Sequence, residues 1–201
     1  MRILVSRWSN SNSNSVVFKR RFSPMTWYNQ KLEKSPLVVK SITTGALFGV
    51  GDVFAQLISK AKGDPFDWKR TRSATIYGTF IFGPLAHYHL NFIDWFTRNK
   101  LKLAGLRMAL VKMVIDQFTY WTPLANVLYL FTLPLLEGRD TGYAKDNVRR
   151  NLLPILKVNW MVWPLVQIVN FSFVPVAHQL NVALLVSLVW VSFLSWKTRS
   201  T

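Results

Sequence analysis

The chain has 201 residues and is 50% hydrophobic, with 25 Lys and Arg against 9 Asp and Glu, a net charge of +16, nine tryptophans and no cysteine. The absence of cysteine excludes disulfides, thiol catalysis and cysteine-based metal sites. The basic charge is not that of a nucleic-acid binder: Lys and Arg cluster between long apolar runs rich in Trp and Phe, the segregation of a polytopic membrane protein.

Residues 1–22 carry Arg2, Arg7, Lys19, Arg20 and Arg21, and no acid occurs before Glu33. This Arg- and Ser-rich, acid-poor composition predicts a mitochondrial targeting segment, a disordered basic tail being the alternative. The first charge-poor segment, Leu37 to Ile58, contains only Lys40 and Asp52. Within it Gly45, Gly49, Asp52 and Gln56 fall, at about 100 degrees per residue, within roughly 60 degrees of one another, so they form one stripe. The two glycines would admit a close neighbouring helix, and Asp52 and Gln56 would then face the protein interior. A carboxylate at mid-membrane costs about 2.5–3.5 kcal/mol on insertion scales, so Asp52 needs a partner, water or a proton. It either joins helices by hydrogen bonds or lines an aqueous path.

The second segment, Ser73 to Ile93, has no charge apart from histidine. His87 and His89 are roughly 200 degrees apart on a helix and point to different faces, so no shared metal is expected. The third, Met113 to Leu136, holds only Asp116, with Thr119, Tyr120 and Pro123 predicted on the same side and a kink at the proline.

From Val158 to Trp196 no charge occurs, almost twice the roughly 20 residues that a spanning helix needs. Here Asn159, Trp163, Gln167 and Asn170 share one face within about 80 degrees, and lipid offers their amides no partner. Pro164 and Pro175 bracket the segment and predict a short or bent helix. A break near Pro175 gives five spans; one bent element gives four. Trp68, Trp95, Trp160, Trp163 and Trp196 lie at segment edges, where tryptophan favours the headgroup layer.

The expected fold is therefore all-α, a polytopic bundle of four to five hydrophobic helices in a single membrane domain over residues 25–197. Its expected partners are the bilayer and its anionic headgroups, with a homo-oligomer or larger membrane complex permitted by the glycine stripe. Lys and Arg are equally divided between the two sides of a five-span arrangement, so orientation is not encoded by the positive-inside rule. No P-loop, GxSxG elbow or HExxH occurs, so neither enzymatic activity nor a cofactor is expected.

Several motifs carry a resemblance. Tyr28, Leu32, Pro36 and ITTGALFGVGDVFAQ (Ile42 to Gln56) are similar to the opening of the Mpv17/PMP22 family of small mitochondrial inner-membrane and peroxisomal membrane proteins. Asp67 to Tyr88 resembles its arginine-containing segment running into a Gly-Pro span, with Arg70, Arg72, Gly78, Gly83 and Pro84 here. Asp116 and Gln117 match its Asp-Gln pair. Val158 to Pro175, with Asn159, Trp160, Trp163, Pro164, Gln167 and Asn170, is similar to its most specific motif, and Phe193 to Lys197 to its C-terminal end.

The resemblance covers residues 25 to 197. It implies a four-span protein that forms a pore or influences metabolite passage, with roles in organelle integrity, nucleotide-precursor supply and stress response. On that reading Asp52, Gln56, Asp116, Gln117, Asn159, Gln167 and Asn170 are the polar interior, small metabolites the solutes, and Gly45, Gly49, Gly83, Pro84, Trp163 and Pro164 the packing positions. Asp52 would favour cations weakly. A non-transporting membrane scaffold or assembly factor is the alternative. The chain departs from the family where Gln179 stands in place of a usual arginine, and Pro123 lies one residue later after the Asp-Gln pair.

Overall fold

The computed structural model describes residues 23–59 and 65–199; the basic segment 1–22 lies outside them. Among the described residues all regular structure is helical: α1 (Pro24–Lys34), α2 (Pro36–Ser59), α3 (Trp68–Tyr77), α4 (Gly83–Trp95), α5 (Gly105–Val114), α6 (Trp121–Leu136), α7 (Thr141–Phe173) and α8 (Val176–Arg199). Prolines open α1, α2 and, at its second position, α4, where a missing N–H costs no helical bond. Asp67 and Asp140 cap α3 and α7, their carboxylates accepting the N–H of Arg70 at 3.0 Å and of Tyr143 at 2.9 Å.

Three π-helical turns, Gly78–Phe82, Phe96–Lys100 and Ile115–Thr119, interrupt the rods. The first has a local cause. Pro84 has no N–H to return to the preceding turn, and the chain widens there, with the Gly83 N–H reaching the Gly78 carbonyl. Helix geometry is kept on both sides, so α3 and α4 form one rod.

The third charge-poor segment is interrupted ahead of the proline at which the kink is expected. Its π-helical turn ends at Tyr120, where φ −124° and ψ −30° break the chain before α6. The break changes the predicted face: Asp116 is buried and Thr119 exposed, while the exposed Tyr120 turns only its hydroxyl back toward His89. Pro123 lies in the first turn of α6, where a missing N–H is tolerated.

The charge-free run after Val158 divides in two. The extended backbone of Val174 before Pro175 ends α7 and α8 begins at Val176. Contrary to the expectation of a short helix, α7 is 33 residues long and runs through both Pro154 and Pro164. Hydropathy alone hid its length, because its first half is charged. Residues Pro36–Ile58 of α2 and the whole of α7 are long and apolar enough to cross a membrane, and α6 and Val176–Val189 of α8 are shorter apolar helices.

Helix α2 packs against α8 and α3, α6 against α7, and α5 against α7. The contact of α2 with the rod formed by α3 and α4 is a seam of small residues. A Cβ on Gly49 would lie 2.5 Å from the Thr75 hydroxyl, and one on Gly83 2.8 Å from the Ser41 Cα. Gly45 is closer still, against Thr79 and the Thr75 carbonyl, so the helix admitted by the glycine stripe belongs to this chain. Ala86, Leu90, Ile93, Ala109, Phe171, Leu180 and Leu184 form an apolar core joining α4, α5, α7 and α8. The rods alternate in direction, so that Lys40 meets Val176 at one end of the bundle and Gln56 meets Asp67 at the other.

Candidate functional site

At the Asp67 end the predicted α2 stripe is fully engaged. Asp52 Oδ1 lies 2.6 Å from Arg70 Nε, and Oδ2 accepts from the Thr71 hydroxyl at 2.7 Å and from Gln56 Nε2 at 2.8 Å. Gln56 also closes a ring with the chain before α3, accepting the Asp67 N–H and donating to the Asp67 carbonyl, both at 2.9 Å. These contacts make Gln56 a clasp between α2 and α3. Arg70 offsets the charge of Asp52, so a field at this end comes from a pair.

A second polar cluster lies toward the opposite end, around Asp116. Its Oδ1 is 2.8 Å from His89 Nε2, and its Oδ2 accepts from Gln117 at 2.6 Å and Gln167 at 2.9 Å. With Nε2 donating to the Asp116 carboxylate, the other ring nitrogen, Nδ1, accepts a hydrogen bond from the Tyr120 hydroxyl, 2.8 Å away. Trp121 stacks on the imidazole at 4.2 Å and 5°. The π-helical turn at Ile115–Thr119 makes this geometry: it turns both Asp116 and Gln117 inward, and the Thr122 hydroxyl caps the Asp116 carbonyl at 3.0 Å.

The face of α7 extends the cluster. Asn170 Nδ2 donates to Gln167 Oε1 at 2.9 Å and to the Gln179 carbonyl at 3.1 Å, and Gln179 Nε2 donates to the Val174 carbonyl at 2.9 Å. Because the amide nitrogens of Gln117, Asn170 and Gln179 face acceptors, their oxygens are fixed in the other direction. Gln117 Oε1, Asn170 Oδ1 and Gln179 Oε1 are buried and have no protein partner.

A cavity of about 430 Å³ links the two clusters, and its wall includes Asp52, Arg70, Asp116, Gln117, Asn159, Trp163, Gln167, Asn170 and Gln179. Of the predicted polar interior only Gln56 lies outside it. Asn159 faces Asn126 at 3.4 Å midway along. Phe48, Tyr77, Phe82, Trp121 and Tyr129 supply an aromatic wall between the polar ends. Gly45, Gly49, Gly83, Pro84 and Pro164 are not in the lining and belong to packing or to helix shape.

Sequence reasoning missed His89 as the partner of Asp116, Arg70 as the counter-ion of Asp52, and Gln179 as chamber wall. The available signal was scarcity: Asp116 is the only acid in its segment and His89 one of few polar groups in the preceding one. His87 and His89 do face different surroundings, His87 lining a separate cavity. Among the described residues no group of three His, Cys, Asp or Glu is placed to hold a metal ion.

The description "Mpv17 / PMP22 family" belongs to the family whose sequence model matches residues 134–195. Protein SYM1 of Gibberella zeae is 35% identical over 171 residues, 85% of this chain and 94% of the relative. Protein SYM1 of Saccharomyces cerevisiae is 35% identical over 174 residues, 85% of this chain and 87% of the relative. PXMP2/4 family protein 2 of Dictyostelium discoideum is 31% identical over 169 residues, covering 82% and 85%. No solved structure matches the chain.

Proposed function

The chain belongs to the Mpv17 / PMP22 family, and from that membership we propose that it is a multi-pass protein of the mitochondrial inner membrane whose chamber passes small polar metabolites, in support of metabolite homeostasis and the stress response. The peroxisomal membrane is the alternative address, and a non-transporting scaffold the alternative role.

The membrane reading rests on where the apolar surface lies. Only 33% of the apolar window in α2 and 11% of that in α7 is buried within the chain. A core helix of a soluble protein would be mostly enclosed. Here Met161 is 80% and Phe173 82% exposed, and Ile42, Phe54, Phe80, Leu165 and Val189 also face outward. Soluble monomers rarely expose apolar surface so continuously, whereas lipid tails cover it without cost.

The permeation reading rests on one observation: the chamber wall runs from Asp52 and Arg70 near one end of the bundle to Gln179 near the other. Its 430 Å³ would hold about fourteen waters at roughly 30 Å³ each, enough for a small hydrated solute. A bundle that only scaffolds a complex gains nothing from a polar-walled chamber kept open between its helices. The favoured charge is positive, through Asp116, because no Lys or Arg offsets it.

The chain has no native cysteine, which makes the test direct. A single cysteine at Asn126 or Ala183, both in the wall, should react with a membrane-impermeant thiol reagent in sealed vesicles. Protection equal to that of a cysteine at the buried core position Ile93 would favour the scaffold.

A further inference from the structure

A second cavity, of about 470 Å³, lies at the end of the bundle opposite Arg70, and Asn29, Lys40, His87, Asn91, Val176 and His178 are among its lining. Lys40 is 2% exposed, yet its ammonium has a single hydrogen bond among the described residues, to the Val176 carbonyl at 3.4 Å, and no ion pair. Among the described residues the other charged side chains that are buried are each compensated: Asp52 pairs with Arg70, Lys112 with Asp94, and Asp116 is hydrogen-bonded to His89, Gln117 and Gln167. An ammonium offers three donors, and removing it from water costs several kcal/mol unless an anion compensates.

Most of the polar surroundings of Lys40 favour negative charge. The cavity meets the start of α8 at Val176 and Ala177, where the first N–H groups of a 24-residue helix have no intrahelical acceptor and the helix dipole is positive. His87 and His178 stand on α4 and α8, and Asn91 Nδ2 is committed to the His87 carbonyl at 2.9 Å, which ties the two side chains on α4 together. The one carboxylate in the lining, Glu33, is exposed and forms no ion pair among the described residues.

We propose that this pocket binds a phosphoryl group, with Lys40 as its central cation and the opening turn of α8 and the two histidines completing the donor set. Donors arriving from three helices suit a tetrahedral group with several acceptor oxygens better than a planar carboxylate. The group is either the head of an anionic phospholipid or a free phosphate compound. The site is separate from the chamber wall, and the proposal does not depend on whether the chamber conducts.

The test is the thermal unfolding of the purified full chain in a neutral detergent. Inorganic phosphate is titrated at constant ionic strength, and in a parallel series the chain is placed in phosphatidylcholine vesicles with or without phosphatidic acid. Stabilisation by inorganic phosphate identifies a free phosphate compound, and stabilisation by phosphatidic acid alone identifies a headgroup. In Lys40→Gln the midpoint concentration of the stabilising species should rise about ten- to a hundredfold, the loss of one charge-assisted hydrogen bond. Without phosphate or phosphatidic acid, Lys40→Gln should be no less stable than the parent chain, which a purely structural lysine would not allow. His178→Ala, which leaves Lys40 in place, should weaken binding about tenfold and serves if Lys40→Gln does not fold. No stabilisation by either species, or equal stabilisation of parent and variants, would overturn the proposal.

Discussion

His89 of α4 and Asp116 of the π-helical turn after α5, 27 residues apart, meet at 2.8 Å in the buried interior, with the imidazole stacked on Trp121. Two neighbouring amides donate to the other carboxylate oxygen, so the acid is held by hydrogen bonds without a Lys or Arg counter-ion. His89→Phe would keep the ring and remove one of these bonds. We expect a loss of about 1–3 kcal/mol of stability, the cost of an under-satisfied buried acceptor, measured by unfolding in detergent. A loss well under about 0.5 kcal/mol would mean that water replaces the imidazole without cost.

The Asp52–Arg70 pair predicts a different outcome from the same kind of substitution. Asp52 is 7% and Arg70 42% exposed, so solvent screens the pair and the buried-pair penalty of about 3–5 kcal/mol is discounted. Arg70→Ala should cost about 1–3 kcal/mol, and the Arg70→Ala, Asp52→Asn double variant less than the sum of the single ones. Additive losses in a double-mutant cycle would show that the two side chains do not act as a pair.

The glycine seam separates side-chain from backbone collisions. A methyl at Gly45 meets the Thr79 hydroxyl, whereas one at Gly83 meets the Ser41 Cα at 2.8 Å. Both alanine variants should lose about 1–3 kcal/mol by overpacking. Thr79→Ala should recover part of the Gly45→Ala loss, and no trimming at Ser41 should recover Gly83→Ala. Thermal unfolding of the four proteins checks the contrast.

Regular periodicity made part of this arrangement legible. The α2 stripe lies on an uninterrupted helix, so a constant angle per residue put Asp52 and Gln56 on its buried face. The same arithmetic failed for Thr119, because a π-helical turn changes the phase and leaves it exposed, whereas Tyr120, though partly exposed, still reaches the Asp116 cluster through its hydroxyl on His89. Hydropathy located the charge-free half of α7 but not its charged first half. The pairings of Asp52 with Arg70 and Asp116 with His89 depend on how helices pack, which no single-helix pattern encodes. That packing also decides that Gln56 clasps a loop and does not face the chamber.

Asp140, outside the apolar segments, carries a pH dependence. The Tyr143 N–H holds its carboxyl below the ordinary value. A lowered pKa in the folded state means that the cap contributes fully above the unfolded-state pKa and is lost as pH falls through the folded one. Hydrogen-exchange protection factors at the start of α7, which divide out the intrinsic pH dependence of amide exchange, should therefore fall on acidification in the parent chain. In Asp140→Asn, which caps without titrating, this fall should be absent.

The central claim is a polar path with Asp116 as its selective acid, and single-channel recording of the purified full chain in planar bilayers tests it most directly. The account predicts discrete conductance with a cation preference that falls in Asp116→Asn and changes little in the Arg70→Gln, Asp52→Asn double variant, which removes a neutral pair. Silence from folded, inserted protein, or a preference that falls in the double variant and ignores Asp116, would contradict it.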